Sequence, residues 1–334
     1  MSWYNLTGPE GFIVISSRMR IARNVEKYNF PNRLNDTATK ELLENLTIAS
    51  GKLNGTFKLY HCEHMSQLDT QILIEKHLIS PALVEIPMNR AALIKSDESV
   101  SVMFNEEDHI RIQALVPGFD LEKSLKQALI IDDVFVKELP IAFSQKLGYL
   151  SCCPTNVGTG LRASVMIHLP ALTQSGQIDE LLQAVRRMGI TVRGIYGEGS
   201  NAEGSIYQVS NQVTLGISEH DIVTRLNEII RRIIKKELEI REAIRANDLI
   251  KLEDRVWRSY GILKNTRLLT SNELMHYLSN IRMGAAMDII PVTVKQLNEL
   301  MIVTQPAHIA KLCGENSSPE ARDSRRAEIV REML

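Results

Sequence analysis

Cys153-Pro154-Thr155-Asn156-Val157-Gly158-Thr159-Gly160-Leu161-Arg162 puts a thiol at one end of ten residues and a guanidinium at the other. Gly158 and Gly160 remove side chains where backbone must come close to something, and Asn156 and Thr159 are short polar groups that tie a loop to itself. Any one of these residues alone marks an ordinary glycine-bearing turn before a strand, with Cys153 a small buried hydrophobe. Together they describe a pocket.

Working outward, Phe12 to Arg23 begins as an apolar strand and ends in Arg18, Arg20 and Arg23. Arg18 and Arg20 are two apart and share a strand face, where two guanidiniums side by side ask for an anion; a solvated strand end is the plainer alternative. A hairpin read over residues 91–103 delivers Asn105-Glu106-Glu107-Asp108-His109-Ile110-Arg111. Three successive carboxylates repel one another, so a fold keeps them for a cation or a proton, or leaves them in water as a loop. Downstream of Arg193, the stretch from Gly194 to Gly204 has four glycines in eleven residues and reads as a mobile lid or a long turn.

Periodicity predicts helices over 37–56, 65–79, 120–136 and 178–188, and strands over 143–154, 190–193 and 206–211. After Ser218 the texture changes: Ile222, Leu226, Ile229, Ile230, Ile233, Ile234, Leu238 and Ile240 trace an apolar stripe at helical spacing among charged residues. Further helices are expected at 247–260, 271–284, 293–302 and 319–333, with Thr270 and Glu273 as a capping box. The fold class is therefore α+β, with a strand-rich domain over 1–235 and an all-helical domain over 236–334.

The 334 residues carry a net charge of −1, with 44% hydrophobic and 24% charged residues. That balance gives no global argument for nucleic acid or an anionic membrane, so any anion site must be a local cluster. Residues 1–10 lack a basic and an apolar leader region, and no apolar run has membrane-spanning length, so a cytoplasmic protein is expected. The four cysteines have no paired metal-ligand spacing and are expected to be reduced. His61, Cys62, Glu63 and His64 lack a second ligand group at a zinc spacing, which argues against a metal there.

The order C-P-T-N-V-G-T-G-L-R-A closely resembles the active-site signature of the phosphagen (guanidino) kinases, and N-E-E-D-H-x-R and S-S-R-x-R are similar to two more of that family's motifs. The resemblance covers residues 12 to about 230. It implies an antiparallel sheet flanked by helices, and ATP as phosphoryl donor with Mg2+. It places nucleotide contacts at Ser16, Ser17, Arg18, Met19 and Arg20, at His77 and Arg111, at Arg162, Ala163, Ser164, Val165 and Met166, and at Arg193, Gly194, Ile195, Tyr196, Gly197 and Glu198. Glu107 becomes the base that takes a proton from the acceptor guanidinium, Glu198 holds that group's other edge, and Cys153 as a thiolate completes a negative wall. No residue binds metal directly; magnesium comes on ATP, with Glu106 reaching it through water. Met166 and Gln208 stand where creatine kinase has a histidine and an aspartate, which leaves the adenine and ribose contacts open.

The helical tail is similar to that of the bacterial protein-arginine kinases, a branch of the same family. Small-guanidine kinases carry a helical domain before the catalytic one, whereas here the matching segment starts almost at once, so the guanidine pocket is expected to stay open to an arginine within a polypeptide. What the branch implies further is a homodimer, a stress-response setting, protein substrates including the repressor CtsR, the activator McsA, and the ClpC-ClpP protease. In the last helix, Arg322 and Arg326 lie one turn apart with Asp323 beside them; a solvated, internally paired helix is one reading. The match of Arg322, Asp323, Arg326 and Ala327 to that branch's phosphoarginine-receptor motif implies an allosteric site for the product. A small-guanidine kinase of minimal architecture, and a non-enzymatic adaptor that keeps the fold, are the competing readings. The adaptor is disfavoured because Glu107, Cys153, Glu198 and the arginines all survive.

Overall fold

In a computed structural model of the chain, residues 2–194 and 203–334 are described. The first part is built on eight strands: β1 (Val14–Arg23), β2 (Phe57–His61), β3 (Ala91–Lys95), β4 (Val100–Phe104), β5 (Ile110–Pro117), β8 (Leu161–His168), β9 (Ile190–Gly194) and β10 (Ile206–Asn211). They form one sheet in the order β2-β3-β4-β5-β1-β8-β10-β9, each neighbouring pair antiparallel. Between β5 and β8 a small hairpin, β6 (Phe143–Ser144) and β7 (Gly148–Tyr149), stands apart from the sheet.

The sheet's two faces have opposite chemistry because side chains alternate along each strand. One face is apolar: Met19, Ile21, Ile112, Ala163, Val165 and Val209 are fully buried in the core. Helix α4 (Leu121–Glu138) covers it, presenting Leu121, Leu125, Ala128, Ile131 and Phe135 at three- and four-residue spacing after an Asp120 N-cap. The other face carries the arginines and is left open as a cleft. Around it stand α2 (Gln67–Glu75) and α3 (Pro81–Glu85); α1 (Asp36–Ser50), α5 (Pro170–Gln174) and α6 (Ile178–Arg187) complete the first part.

The helical part begins with α7 (Glu219–Asn265), 47 residues long and capped by Ser218. Helices α8 (Ser271–Ala286), α9 (Val294–Val303), α10 (Pro306–Cys313) and α11 (Pro319–Met333) follow, and α8 opens with the expected capping box of Thr270 and Glu273. None of the described helices is long and apolar enough to cross a membrane.

Several local expectations are corrected. The first helix stops at Ser50 instead of running to 56, at the Gly51 cap. The 65–79 segment is shorter, because His77 takes a left-handed φ of 60° after Glu75 and Pro81 starts a new helix. No continuous strand runs over 143–154; the two-residue hairpin leads into an irregular loop, so Cys152 and Cys153 do not alternate across a strand. The two helices expected on either side of residue 247 are one helix, whose backbone leaves helical geometry at Asp248. The division at 235/236 is not among these corrections: it lies within α7, the first long helix, which was expected to belong to both parts and whose apolar stripe packs into the same core as the sheet. Helix α10 went unread because its eight residues carry too little periodicity.

Candidate active site

Strand register assembles the cations. Arg20 sits opposite Arg162 across β1 and β8, Arg18 opposite Ser164, and Arg111 pairs with Ala22, two residues beyond Arg20 on β1 and so on the same face. Arg193 lies opposite Gln208 across β9 and β10. All five arginines therefore project from the open face. Like charges this close repel one another. Burial, then Arg111 and Arg162, push the Arg18 guanidinium down to about 10. The same burial, with Arg18, Arg111 and Arg162, holds Arg20 well below its usual value, and Glu106 partly offsets it. Arg18 Nε donates to Ser164 Oγ at 3.4 Å, and Arg162 Nη2 to Ser210 Oγ at 3.2 Å.

The three acidic residues after β4 are separated by the fold, each to a different task. Glu106 is buried and accepts from Arg111 Nη1 on both oxygens at 2.5 Å, from Ser80 Oγ at 2.6 Å and from the backbone N–H of Glu107 at 2.9 Å. Burial pushes its carboxyl up, but Arg111 and these donors outweigh that and hold it below the usual range. Asp108 is buried too and accepts from Asn24 Nδ2 and from the backbone N–H of Cys152, both at 2.7 Å. His109 accepts from Val25 N at its Nδ1 and donates from Nε2 to the Asn29 carbonyl, so it is a neutral brace that burial pushes down to about 4. Glu107 alone of the run is exposed.

The loop from Cys153 to Gly160 is fastened opposite. A Cβ on Gly158, at φ 113°, would meet the Thr214 carbonyl oxygen at 2.2 Å, so the close approach expected of this glycine is to the protein's own backbone. Thr159 Oγ1 accepts from Leu161 N at 3.2 Å, and Arg23, buried against Asp132 at 2.7 Å, donates to the Thr159 carbonyl at 2.9 Å. Arg23 thus belongs to the scaffold, stacked 3.4 Å from the Tyr149 ring centre. Cys153 Sγ lies 3.0 Å from Thr155 Oγ1. Because Asp108 holds Cys152, the acidic loop and the cysteine loop are joined. Glu107 and Cys153 consequently line one small pocket of about 250 Å³, together with Arg20, Arg111, Arg162 and Arg193.

Arg20 and Arg111 also line a second, larger cleft of about 780 Å³ that contains Arg18, His77, Met166 and Gln208. His77 is pushed down to about 4 by burial and by Arg18, so its ring is neutral at physiological pH. The two cavities meet at the guanidiniums. Ser16, Ser164 and Met166 face a recess of this cleft. Ser17 and Met19 turn to the other face, where Ser17 Oγ donates to the Gly118 carbonyl and accepts from Asp120 N, and Ala163 and Val165 are in the core. Gly194 ends β9. Ile195, Tyr196, Gly197 and Glu198 lie outside the described residues.

In α11 the fold uses the Arg322 motif differently from an open ligand face. Arg326 is buried and donates to the carbonyls of Leu269 and Thr304, at 2.7 and 3.0 Å, and to Asp323 at 2.5 Å. Ala327 is in the core and Arg322 is half-buried. Sequence reasoning missed Asn24, Ser80, Asp132 and Gln113, all of them supports. Gln113 Nε2 donates to the His77 carbonyl at 2.5 Å.

Cations converging between a roomy cleft and a pocket holding a carboxylate and a thiol define a phosphotransferase acting on a cationic acceptor. The chain belongs to the ATP:guanido phosphotransferases: residues 38–240 match that family's C-terminal catalytic domain, and residues 249–334 match the C-terminal domain of the protein-arginine kinase McsB. Along its whole length it is 46% identical to the protein-arginine kinases of Brevibacillus brevis and Bacillus subtilis, spanning 95% and 93% of those proteins. Within the family it thus groups with the protein-arginine kinases. Among solved structures it is similar to the duplicated taurocyamine kinase of Schistosoma mansoni with bound transition-state-analogue components, at TM-score 0.64 and 28% identity over 73% of this chain and 36% of that one. Lombricine kinase gives TM-score 0.62 and 25% identity over 71% of this chain and 70% of that one.

Proposed function

We propose that transfer is direct, from ATP to a guanidinium nitrogen, with Glu107 as the base. A guanidinium stays protonated at neutral pH and cannot attack until a proton leaves. The N–H proton passes to the Glu107 carboxylate as the N–P bond forms and the bond to the ADP oxygen breaks. The observation carrying this reading is that Glu107 is exposed into the small pocket while the carboxylates on either side of it are committed to buried partners. Arg18, Arg20, Arg111, Arg162 and Arg193 neutralise the phosphates, Cys153 adds a polarisable wall beside the acceptor, and Glu198 completes the guanidinium's other edge.

Magnesium is expected to arrive on the nucleotide and not in a protein site of its own. When bound there it supplies further charge neutralisation. Glu106, engaged on both oxygens by Arg111, needs that pair to loosen before it faces such an ion through water.

The modified proteins, the repressor CtsR among them, are marked for the ClpC-ClpP protease in a cytoplasmic stress response, with McsA as activator. Dimers form through the helical part, and Arg322, Asp323, Arg326 and Ala327 bind phosphoarginine. Full-length likeness to protein-arginine kinases supports this setting. The test of the acceptor is incubation with labelled ATP, free arginine and an unfolded arginine-rich protein. Acid-labile phosphate on the protein is expected, and phosphate on free arginine alone would overturn the reading.

A further inference from the structure

The larger cleft is not made by the catalytic sheet alone. At one end it has Arg18, Arg20 and Arg111; at the other, its wall is the helical part of the chain, through Ser271, Asn272 and Met275 of α8 and Met301 at the end of α9. Facing them across the gap are Met166 and Gln208 from the sheet. The cationic end suits phosphates. Away from the arginines the lining has thioethers and uncharged amides, with the Glu75 and Glu203 carboxylates among them, which suits a flat, weakly polar ring system with donors and acceptors at its edge.

This wall is fastened in place by buried polar contacts. Glu75 on α2 accepts from Ala307 N at 2.7 Å, His308 N at 3.2 Å and His308 Nδ1 at 2.8 Å, joining the catalytic side to the start of α10. Arg326 holds the carbonyls of Leu269, just before α8, and Thr304, just after α9. The turn that enters β10 rests on α8 as well: a Cβ on Gly204 would meet the Met275 carbonyl oxygen at 2.9 Å. A ligand filling the cleft is therefore touched by both parts of the chain at positions that are already set.

We propose that the first turn of α8 is the base-side wall of the nucleotide site, so that ATP is gripped between the sheet, which holds its phosphates, and the helical part, which holds its base. This rests on ATP being the donor. Asn272 is the reading group, since it is exposed in the cleft and its amide can both donate and accept.

The test compares ATP with inorganic tripolyphosphate, which has the charge and no base, by calorimetry on the full chain. Asn272→Ala weakens ATP binding about three- to tenfold, the worth of one lost hydrogen bond, and leaves tripolyphosphate unchanged. Asn272→Trp, which fills the gap, weakens ATP further and again spares tripolyphosphate; Arg18→Ala weakens both. In the wild type, ATP slows amide exchange at residues 271–275, whereas tripolyphosphate protects only the strands. Equal effects of the Asn272 substitutions on both ligands, or no protection of α8 by ATP, would overturn the inference while leaving the donor assignment intact. Failure of the wild type to bind either ligand would overturn both.

Discussion

Glu106→Gln isolates the charge balance of the arginine cluster, because glutamine keeps the shape and loses only the negative charge. That carboxylate is paired directly with the cluster: Arg111 Nη1 donates to both its oxygens at 2.5 Å, and it offsets part of the depression at Arg20. Removing one partner of a buried ion pair costs about 3–5 kcal/mol. The Arg111 side chain keeps 18% of its exposure, and Ser80 can still donate to the amide oxygen, so the loss falls to about 2–4 kcal/mol. At about 1.4 °C per kcal/mol for a chain of 334 residues, the apparent Tm drops by about 3–6 °C.

A polyanion should return much of that loss, since it supplies the missing negative charge to the same guanidiniums. Ligand at a hundred times its Kd stabilises the wild type by about 2.7 kcal/mol, and the variant gains more because no carboxylate competes for Arg111. The assay is thermal unfolding of both proteins with and without magnesium-free tripolyphosphate. The Tm gap between them should shrink by at least a third on adding ligand. A gap that is the same in both conditions, or below about 2 °C without ligand, would refute the view that Glu106 serves as the cluster's resident counter-ion.

Glu107→Gln should lower kcat by about 10²- to 10⁴-fold, the usual worth of a general base, with ATP affinity held within a few-fold in equilibrium binding; Cys153→Ser should lower kcat less. Gly158→Ala should cost both stability and turnover, because its Cβ would lie 2.2 Å from the Thr214 carbonyl oxygen at a φ of 113°; unchanged steady-state kinetics would show that the cysteine loop can shift without consequence. Acid should destabilise the fold through His109 and His77, whose folded values near 4 lie below the unfolded value near 6.5. The unfolded state binds more protons in that window, so stability is full above about pH 6.5 and falls as pH drops towards 4, and urea unfolding of His109→Asn should show a shallower slope between those limits.

The reactive residues were legible in the sequence and their supports were not, for a physical reason. Arg18 and Arg20 announce a shared face because strand alternation is local, and Glu107 and Cys153 stand in motifs dense enough to be read as a pocket. How the run of three carboxylates is divided was unreadable, since Glu106 and Asp108 are committed by partners far along the chain. Asp108 needs Asn24 and Cys152, and Glu106 needs Ser80. Arg23 looks in sequence like a third member of the arginine cluster. Only the fold, by putting Asp132 and the Tyr149 ring beside it, turns it into a brace for the cysteine loop.

The same dependence governs the helical part. Its stripe and caps could be read, yet its place against the cleft could not, because that placement is fixed by contacts such as Glu75 with the start of α10, 232 residues apart in the chain. Arg322, Asp323 and Arg326 show the limit most clearly. Spacing puts them on one helix face, which suits a ligand that pairs a phosphoryl group with a guanidinium. In the folded chain, however, Arg326 and Asp323 bond each other and Arg326 holds the residues flanking α8 and α9. A phosphoarginine that engages this motif must therefore compete with contacts that position the cleft's far wall. Binding there would act on the nucleotide site through Leu269 and the first turn of α8, with no need for the ligand to approach the catalytic pocket.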